Sequence, residues 1–132
     1  METSGYSKTP LVKKLGIKDG QRVLFINQPD YYFELLEVLP EVSEASDEAD
    51  FIHLFVKSIA ELDSNLLVLK SKLKKTGMLW VSWPKKLSGV ITDLNDGVVR
   101  QAGLDVGLVD TKVCAVDAIW SGLKFMYRKI DR

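Results

Sequence analysis

A chain of 132 residues, 46% apolar and 27% charged, has room for one well-buried core. Its 18 basic and 18 acidic side chains cancel, so the total gives no long-range pull toward nucleic acid or an anionic membrane, and neither partner is expected. A lone cysteine, Cys114, excludes an internal disulfide framework; with no signal-peptide core at METSGYSKTP and no apolar run of bilayer length, this predicts a soluble cytoplasmic protein.

Residues 1–8 carry no periodic pattern and read as a flexible arm, leaving 9–132 as a single domain. Thr9 is placed to cap a short helix, with Pro10 in the favoured first position and Gly16 closing it. After a turn at Asp19-Gly20, the run Arg22 to Asn27 (RVLFIN) is continuously apolar and of strand length, the pattern of a strand buried on both faces. Asp30 is placed to cap a second helix that runs through Leu39 and stops at Pro40. Glu41, Glu44, Asp47, Glu48 and Asp50 then follow with no base among them, which predicts an exposed loop with at most a short edge strand around Val42.

Asp50 to Lys57 (DFIHLFVK) is a second buried strand. Ser58 and Glu61 have capping-box spacing, and Ile59, Leu62, Leu66, Leu69 and Leu73 follow at helical spacing to a close at Lys74, Lys75 and Gly77. Met78 to Trp83 is the central strand, ended by Pro84, and a further helix begins near Asn95 and ends by Gly107. From Val109 the period becomes two. A turn over Asp117 to Gly122, with Gly122 at positive φ, and the alternating Leu123, Phe125 and Tyr127 complete a β-hairpin. Alternating helices and strands imply a three-layer α/β/α, Rossmann-like, mainly parallel sheet ending in an antiparallel hairpin.

That terminal hairpin, and the opening KKLGIKDGQRVLFIN, resemble the class I S-adenosylmethionine-dependent methyltransferase fold. Longer blocks (SGYSKTPLVKKLGIKDGQRV, HLFVKS, LWVSWPKK, TDLND, GLVDTKVCAVD and WSGLKF) are similar to a family of small bacterial proteins known only as a domain of unknown function. The resemblance implies a Rossmann-like fold and brings no activity with it. Two features depart from ordinary methyltransferases. The loop Asn27-Gln28-Pro29-Asp30-Tyr31 has no glycine where a cofactor would approach the backbone, and Glu41, Glu44 or Asp47 could serve as the ribose-binding acid only on a vestigial strand.

In a parallel sheet the loops that leave the strands' carboxyl ends share one edge, so the candidate site is sought there. The expectation is that Asn27, Gln28, Trp83, Lys85, Lys86, Ser88 and Trp120 converge on one cleft, with Lys85 or Lys86 binding an anion and Ser88-Gly89 letting the backbone approach. Trp80 and Trp83 lie three apart on a strand, so their rings point to opposite faces; Trp83, just before Pro84, is the better cleft candidate. Trp120 is weighed between ligand contact and folding back over the sheet edge, with the second ahead. His53 shares a strand face with Phe51 and Phe55 and reads as a satisfied core imidazole, and Cys114 as a small buried apolar residue.

No nucleophile–base constellation, metal-ligand spacing or phosphate loop occurs in the sequence, and no cofactor can be named from it. The reading is a module that binds a small anionic or nucleotide-like ligand on a degenerate methyltransferase-like fold, without standard catalysis. The alternatives are a non-enzymatic protein-interaction domain, a homodimer included, and, third, an active S-adenosylmethionine-dependent methyltransferase.

Overall fold

The three continuous apolar runs become adjacent parallel strands. The computed structural model describes residues 9–132, and the arm expected over residues 1–8 lies outside the described residues. In chain order the elements are α1 (Leu11–Leu15), β1 (Arg22–Ile26), α2 (Tyr32–Leu36), β2 (Ser43–Glu44), β3 (Ala49–Phe55), α3 (Ile59–Lys72), β4 (Leu73–Pro84), α4 (Asp96–Asp105), β5 (Leu108–Ala115) and β6 (Trp120–Tyr127). They form a six-stranded sheet in the order β2-β1-β3-β4-β6-β5. β2, β1, β3 and β4 pair in parallel, with Phe51 opposite Met78 and His53 opposite Trp80. β6 is antiparallel to both β4 and β5, so β5 runs in the same sense as β4 and its carboxyl end lies at the same edge.

Strand alternation sorts the core into two layers. Phe51 and Phe55 of β3 and Trp80 of β4 face α1 and α2, where they meet Leu15, Tyr32 and Leu36. Ile52, Leu54, Leu79 and Val81 face α3 and α4 and pack on Leu62, Leu66, Leu69 and Val99. Each such buried side chain contributes about 1.5–3 kcal/mol. The Trp80 indole N–H donates to the Leu15 carbonyl at 2.8 Å, which pins the end of α1 to the middle of the sheet.

His53 is fully buried in the first layer, stacked on Phe55 with ring centroids 4.2 Å apart. Its Nδ1 hydrogen-bonds the Tyr32 hydroxyl and its Nε2 the Ser82 hydroxyl, both at 2.8 Å. A neutral imidazole has one donor and one acceptor nitrogen, so it serves both hydroxyls without charge. Burial pushes its pKa down to about 3 and raises that of Tyr32 above the ordinary tyrosine value. This is the satisfied core histidine expected from the sequence.

Several boundaries differ from expectation. Pro10, not Thr9, holds the N-cap position of α1. Asp30 does not cap α2; the cap position falls to Tyr31, and the helix ends at Leu36, well before Pro40. There Glu37 takes φ 64 and ψ −65, and the Val38 N–H bonds the Leu36 carbonyl at 2.7 Å, a tight γ-turn of the strained hand that breaks the helical path. α3 stops at Lys72 and β4 begins at once with Leu73, which pairs with Ala49 before a bulge brings Met78 opposite Phe51. Leu73 stays in the core, now from the strand.

Gly122 lies inside β6 and not in the turn, and it is not among the glycines at positive φ. Its missing side chain matters for space: a Cβ there would sit 3.2 Å from the Trp80 ring and 3.3 Å from the Cys114 carbonyl. The alternation expected along β5 is interrupted by a register shift between Asp110 and Lys112, which leaves Val113 exposed and Cys114 buried.

Candidate functional site

The carboxyl ends of β1 and β3 face an open cleft of about 490 Å³. The connection out of β1 crosses to β2 on one side, while β3 lies on the other. The cleft therefore sits at the point where strand order reverses, the usual ligand crevice of such sheets. Asn27 to Asp30, the loop leaving β1, form one wall. Phe55 and Lys57 at the end of β3, with Glu61 from the first turn of α3, form a second, and Trp120 at the start of β6 closes the third.

Each wall is fixed locally. Asn27 adopts φ 60, the left-handed conformation that asparagine tolerates better than most non-glycine residues, so it makes the sharp exit from β1 that a glycine would otherwise make. The Ser58 hydroxyl accepts the Glu61 backbone N–H at 3.1 Å, and the Glu61 carboxylate accepts the Lys57 N–H at 2.7 Å. Glu61 thus reaches one residue further back than a standard capping box does. The Thr92 hydroxyl donates to the Lys57 carbonyl at 2.6 Å, and Asp93 accepts the Ile59 N–H at 2.8 Å. Side chains thus already occupy two of the free N–H groups at the start of α3, which leaves that terminus less available to an anion.

Trp120 is 6% exposed and meets Phe55 edge-on, centroids 5.0 Å apart. Asp117 Oδ1 accepts the Ile119 and Trp120 N–H groups at 2.9 and 2.8 Å, which holds the β5–β6 turn in shape. The ring therefore covers core and also lines the cleft. Beside it, the Tyr31 hydroxyl is buried with no hydrogen-bond partner of good geometry among the described residues. Burial raises its pKa, and the neighbouring Asp117 raises it further. Gln28 belongs to two spaces. It also lines an adjoining depression of about 280 Å³ that has Phe25, Phe33 and Leu39 on its walls and Glu44, the last residue of β2, at its far side.

Of the seven residues expected to converge, Asn27, Gln28 and Trp120 line this cleft together. Trp83 does not. It is buried in the layer under α3 and α4, because the alternation that turns Trp80 toward α1 turns Trp83 to the other face. Lys86 lines a separate depression with Val90 to Asn95. Ser88 sits in the 3₁₀ turn Lys86–Ser88, where its hydroxyl accepts the Val90 N–H at 3.1 Å. Lys85 continues past β4, its N–H bonded to the Ile119 carbonyl at 2.7 Å, and is not part of the cleft lining. Lys57 leaves β3 at this edge, where the parallel-sheet reading expects the Lys57–Ser58 loop, but neither it nor Glu61 is among the seven residues expected to converge. Their signal was present in the capping-box spacing, which sets Glu61 above the end of β3. No cluster of potential metal ligands occurs among the described residues, and no helix there is long and apolar enough to cross a membrane.

No family model and no curated protein matches the chain. Solved structures do. An S-adenosylmethionine-dependent methyltransferase from Aquifex aeolicus superposes with a TM-score of 0.62 at 16% identity, over 89% of this chain and 88% of that one. Magnesium protoporphyrin IX methyltransferase from Synechocystis, solved with bound S-adenosylmethionine, gives 0.59 at 11% identity, over 89% and 74%. A putative methyltransferase from Thermoplasma acidophilum gives 0.58 at 8% identity, over 93% and 76%. The chain has the Rossmann-like fold of the S-adenosylmethionine-dependent methyltransferases, closing in an antiparallel hairpin. At these identities the likeness is one of fold.

Proposed function

We propose that this chain is a binding module on a methyltransferase-like fold, holding a nucleoside-like small molecule in the cleft between β1, β3 and Trp120 without standard methyl transfer. The observation that carries this reading is the cleft itself. It lies at the switch point of the sheet, has a volume suited to a small ligand, and combines an aromatic wall with two neighbouring amides. Trp120 and Phe55 are nearly buried and close the cleft with apolar edges, while Asn27 and Gln28 each offer a donor and an acceptor. Asp30 and Glu61 outnumber Lys57 in the lining, which favours hydroxyl-bearing groups over a multiply charged anion. Lys85 and Lys86, on which an anion-specific reading rested, do not line this space. Methyl transfer stays outside the proposal because Pro29 and Tyr31 occupy the loop where close approach of a cofactor to the backbone calls for glycine.

The test is calorimetric titration with adenosine, S-adenosylmethionine and S-adenosylhomocysteine, on the native chain and on Trp120→Ala and Gln28→Ala. Losing one lining contact worth about 1 kcal/mol should weaken binding about fivefold in either variant. Absence of binding by all three ligands overturns the reading, and so does unchanged affinity in both variants. Turnover of S-adenosylmethionine would replace it with an enzymatic one.

A second reading, contact with another protein or a second copy, is favoured by one observation. α3 and α4 leave a groove of about 500 Å³ lined by Leu66, Val98, Ala102 and Val106, and Leu67 on its rim is 63% exposed. Sedimentation over a concentration series would show a dimer that Leu67→Glu disperses; a monomer at all concentrations removes the self-association form.

A further inference from the structure

One stretch of the chain carries acids without a base, and an apolar depression opens within it. Residues 27–50 hold three aspartates and five glutamates, eight acids in all, and no Lys, Arg or His. Asp47 pairs with Arg22 at 3.6 Å and Asp50 with Lys74 at 3.1 Å. The other six are exposed, and among the described residues they form no ion pair. The stretch supplies α2, β2 and the chain between them, so this charge gathers at the β2 end of the sheet.

Strand register builds the depression of about 280 Å³. Glu44 stands opposite Val23 across the β1–β2 pair, so both side chains are on the α2 face, and Val42 and Phe25 join them at the two-residue period. Phe33 of α2 meets Phe25 edge-on with centroids 5.4 Å apart, and Leu39, beyond the turn at Glu37, completes the apolar lining. Phe33 and Leu39 are 43% and 40% exposed, and the neighbouring Val38 is 75% exposed. β2 is the last strand of the sheet, so no further strand covers these side chains. Contiguous apolar surface rimmed by charge is the composition of a docking site.

Size and charge decide the occupant. Small-molecule sites run to about 300–1,000 Å³, so a depression just below that range suits one large side chain better than a whole ligand. A two-fold pairing of this face with its own copy would set the acidic stretch against itself, and nucleic acid or an anionic membrane would meet the same repulsion. No group of acids among the described residues is placed to hold a metal ion. The complement is a chain that carries several separate positive charges around one apolar side chain.

We infer that the α2–β2 edge docks a basic peptide segment of another protein. Its large apolar side chain enters between Phe25, Phe33, Leu39 and Val42, and flanking Lys or Arg side chains meet Glu44 and the acids around it. The edge stands apart from the α3–α4 groove, shares only Gln28 with the nucleoside cleft, and uses no part of the nucleoside reading.

The test is fluorescence anisotropy at 50 and 200 mM salt with a labelled nine-residue peptide, four Lys or Arg on each side of a central phenylalanine. The same peptide with a central alanine is the comparison. The phenylalanine peptide should bind about tenfold to a hundredfold more tightly, the effect of burying one such side chain. Both peptides should weaken at the higher salt. Glu41→Gln/Glu44→Gln should weaken both, by up to about fivefold for each charge removed. Leu39→Ser should remove most of the preference for phenylalanine, whereas Val68→Ser, at an exposed site on α3, should leave it intact.

No binding at 50 mM salt, equal affinity for the two peptides, or an equal effect of Val68→Ser would each overturn the site. So would displacement of the peptide by equimolar adenosine, which would join the depression to the nucleoside cleft. A dimer that Leu39→Ser disperses would overturn it too, by giving the edge to a second copy.

Discussion

Acidification tests the buried Tyr32–His53–Ser82 chain directly. His53 is held neutral in the fold, with its pKa pushed down to about 3, whereas an unfolded chain would protonate it near 6.5. Above pH 6.5 both states are neutral and His53 adds no pH dependence. Below it the unfolded state binds a proton that the folded state refuses, so stability falls by about 1.4 kcal/mol per pH unit until the folded pKa is reached. Between pH 6.5 and pH 5 the loss assigned to His53 is about 2 kcal/mol. The assay is urea unfolding followed by tryptophan fluorescence at pH 8, 7, 6 and 5, comparing the native chain with His53→Gln, which lacks the titrating group. The native chain should lose about 2 kcal/mol more than the variant over that range. Because His53 is the single histidine, an NMR titration of its ring protons gives an independent reading even if the variant folds poorly. A midpoint near 6.5, or parallel pH profiles for the two proteins, would refute the reasoning.

Other expectations follow from single contacts. Gly103 of α4 faces Phe125 so closely that an added Cβ would lie 2.0 Å from the ring; Gly103→Ala should lower stability by about 1–3 kcal/mol or more, seen as a lower melting temperature. Asn27→Gly should keep the loop geometry and weaken ligand binding, whereas Asn27→Ala should also destabilise the fold, by roughly 1 kcal/mol, because alanine fits poorly at φ 60; equal melting temperatures would remove the strain argument. Tyr31→Phe removes a buried hydroxyl that has no hydrogen-bond partner of good geometry among the described residues, so thermal stability should hold or rise; a drop above about 1 kcal/mol would mean that its contact with Asp117 is a working hydrogen bond.

The sheet was legible because its three central strands are continuous apolar runs, and such runs survive any tertiary context. The hairpin was legible from the alternation of Leu123, Phe125 and Tyr127. What escaped is set by pairings distant in sequence. Leu73 satisfies helical spacing and is equally at home as a strand residue, and its pairing with Ala49 decides between the two. Gly122 resembles a turn glycine until Trp80 is placed beneath it. The opposite faces of Trp80 and Trp83 could be read from parity, but which face adjoins the cleft depends on where α1 and α3 dock.

The cleft is tested most directly by the indole N–H signals of the three tryptophans in a 1H–15N spectrum titrated with S-adenosylhomocysteine. Trp120 lines the cleft, Trp80 is fully buried with its N–H bonded to Leu15, and Trp83 lies under α3 and α4. The account predicts that the Trp120 indole signal shifts saturably while those of Trp80 and Trp83 stay in place, and that Gln28→Ala moves the titration to higher ligand concentration. A Trp120 signal that remains still at saturating ligand would contradict it.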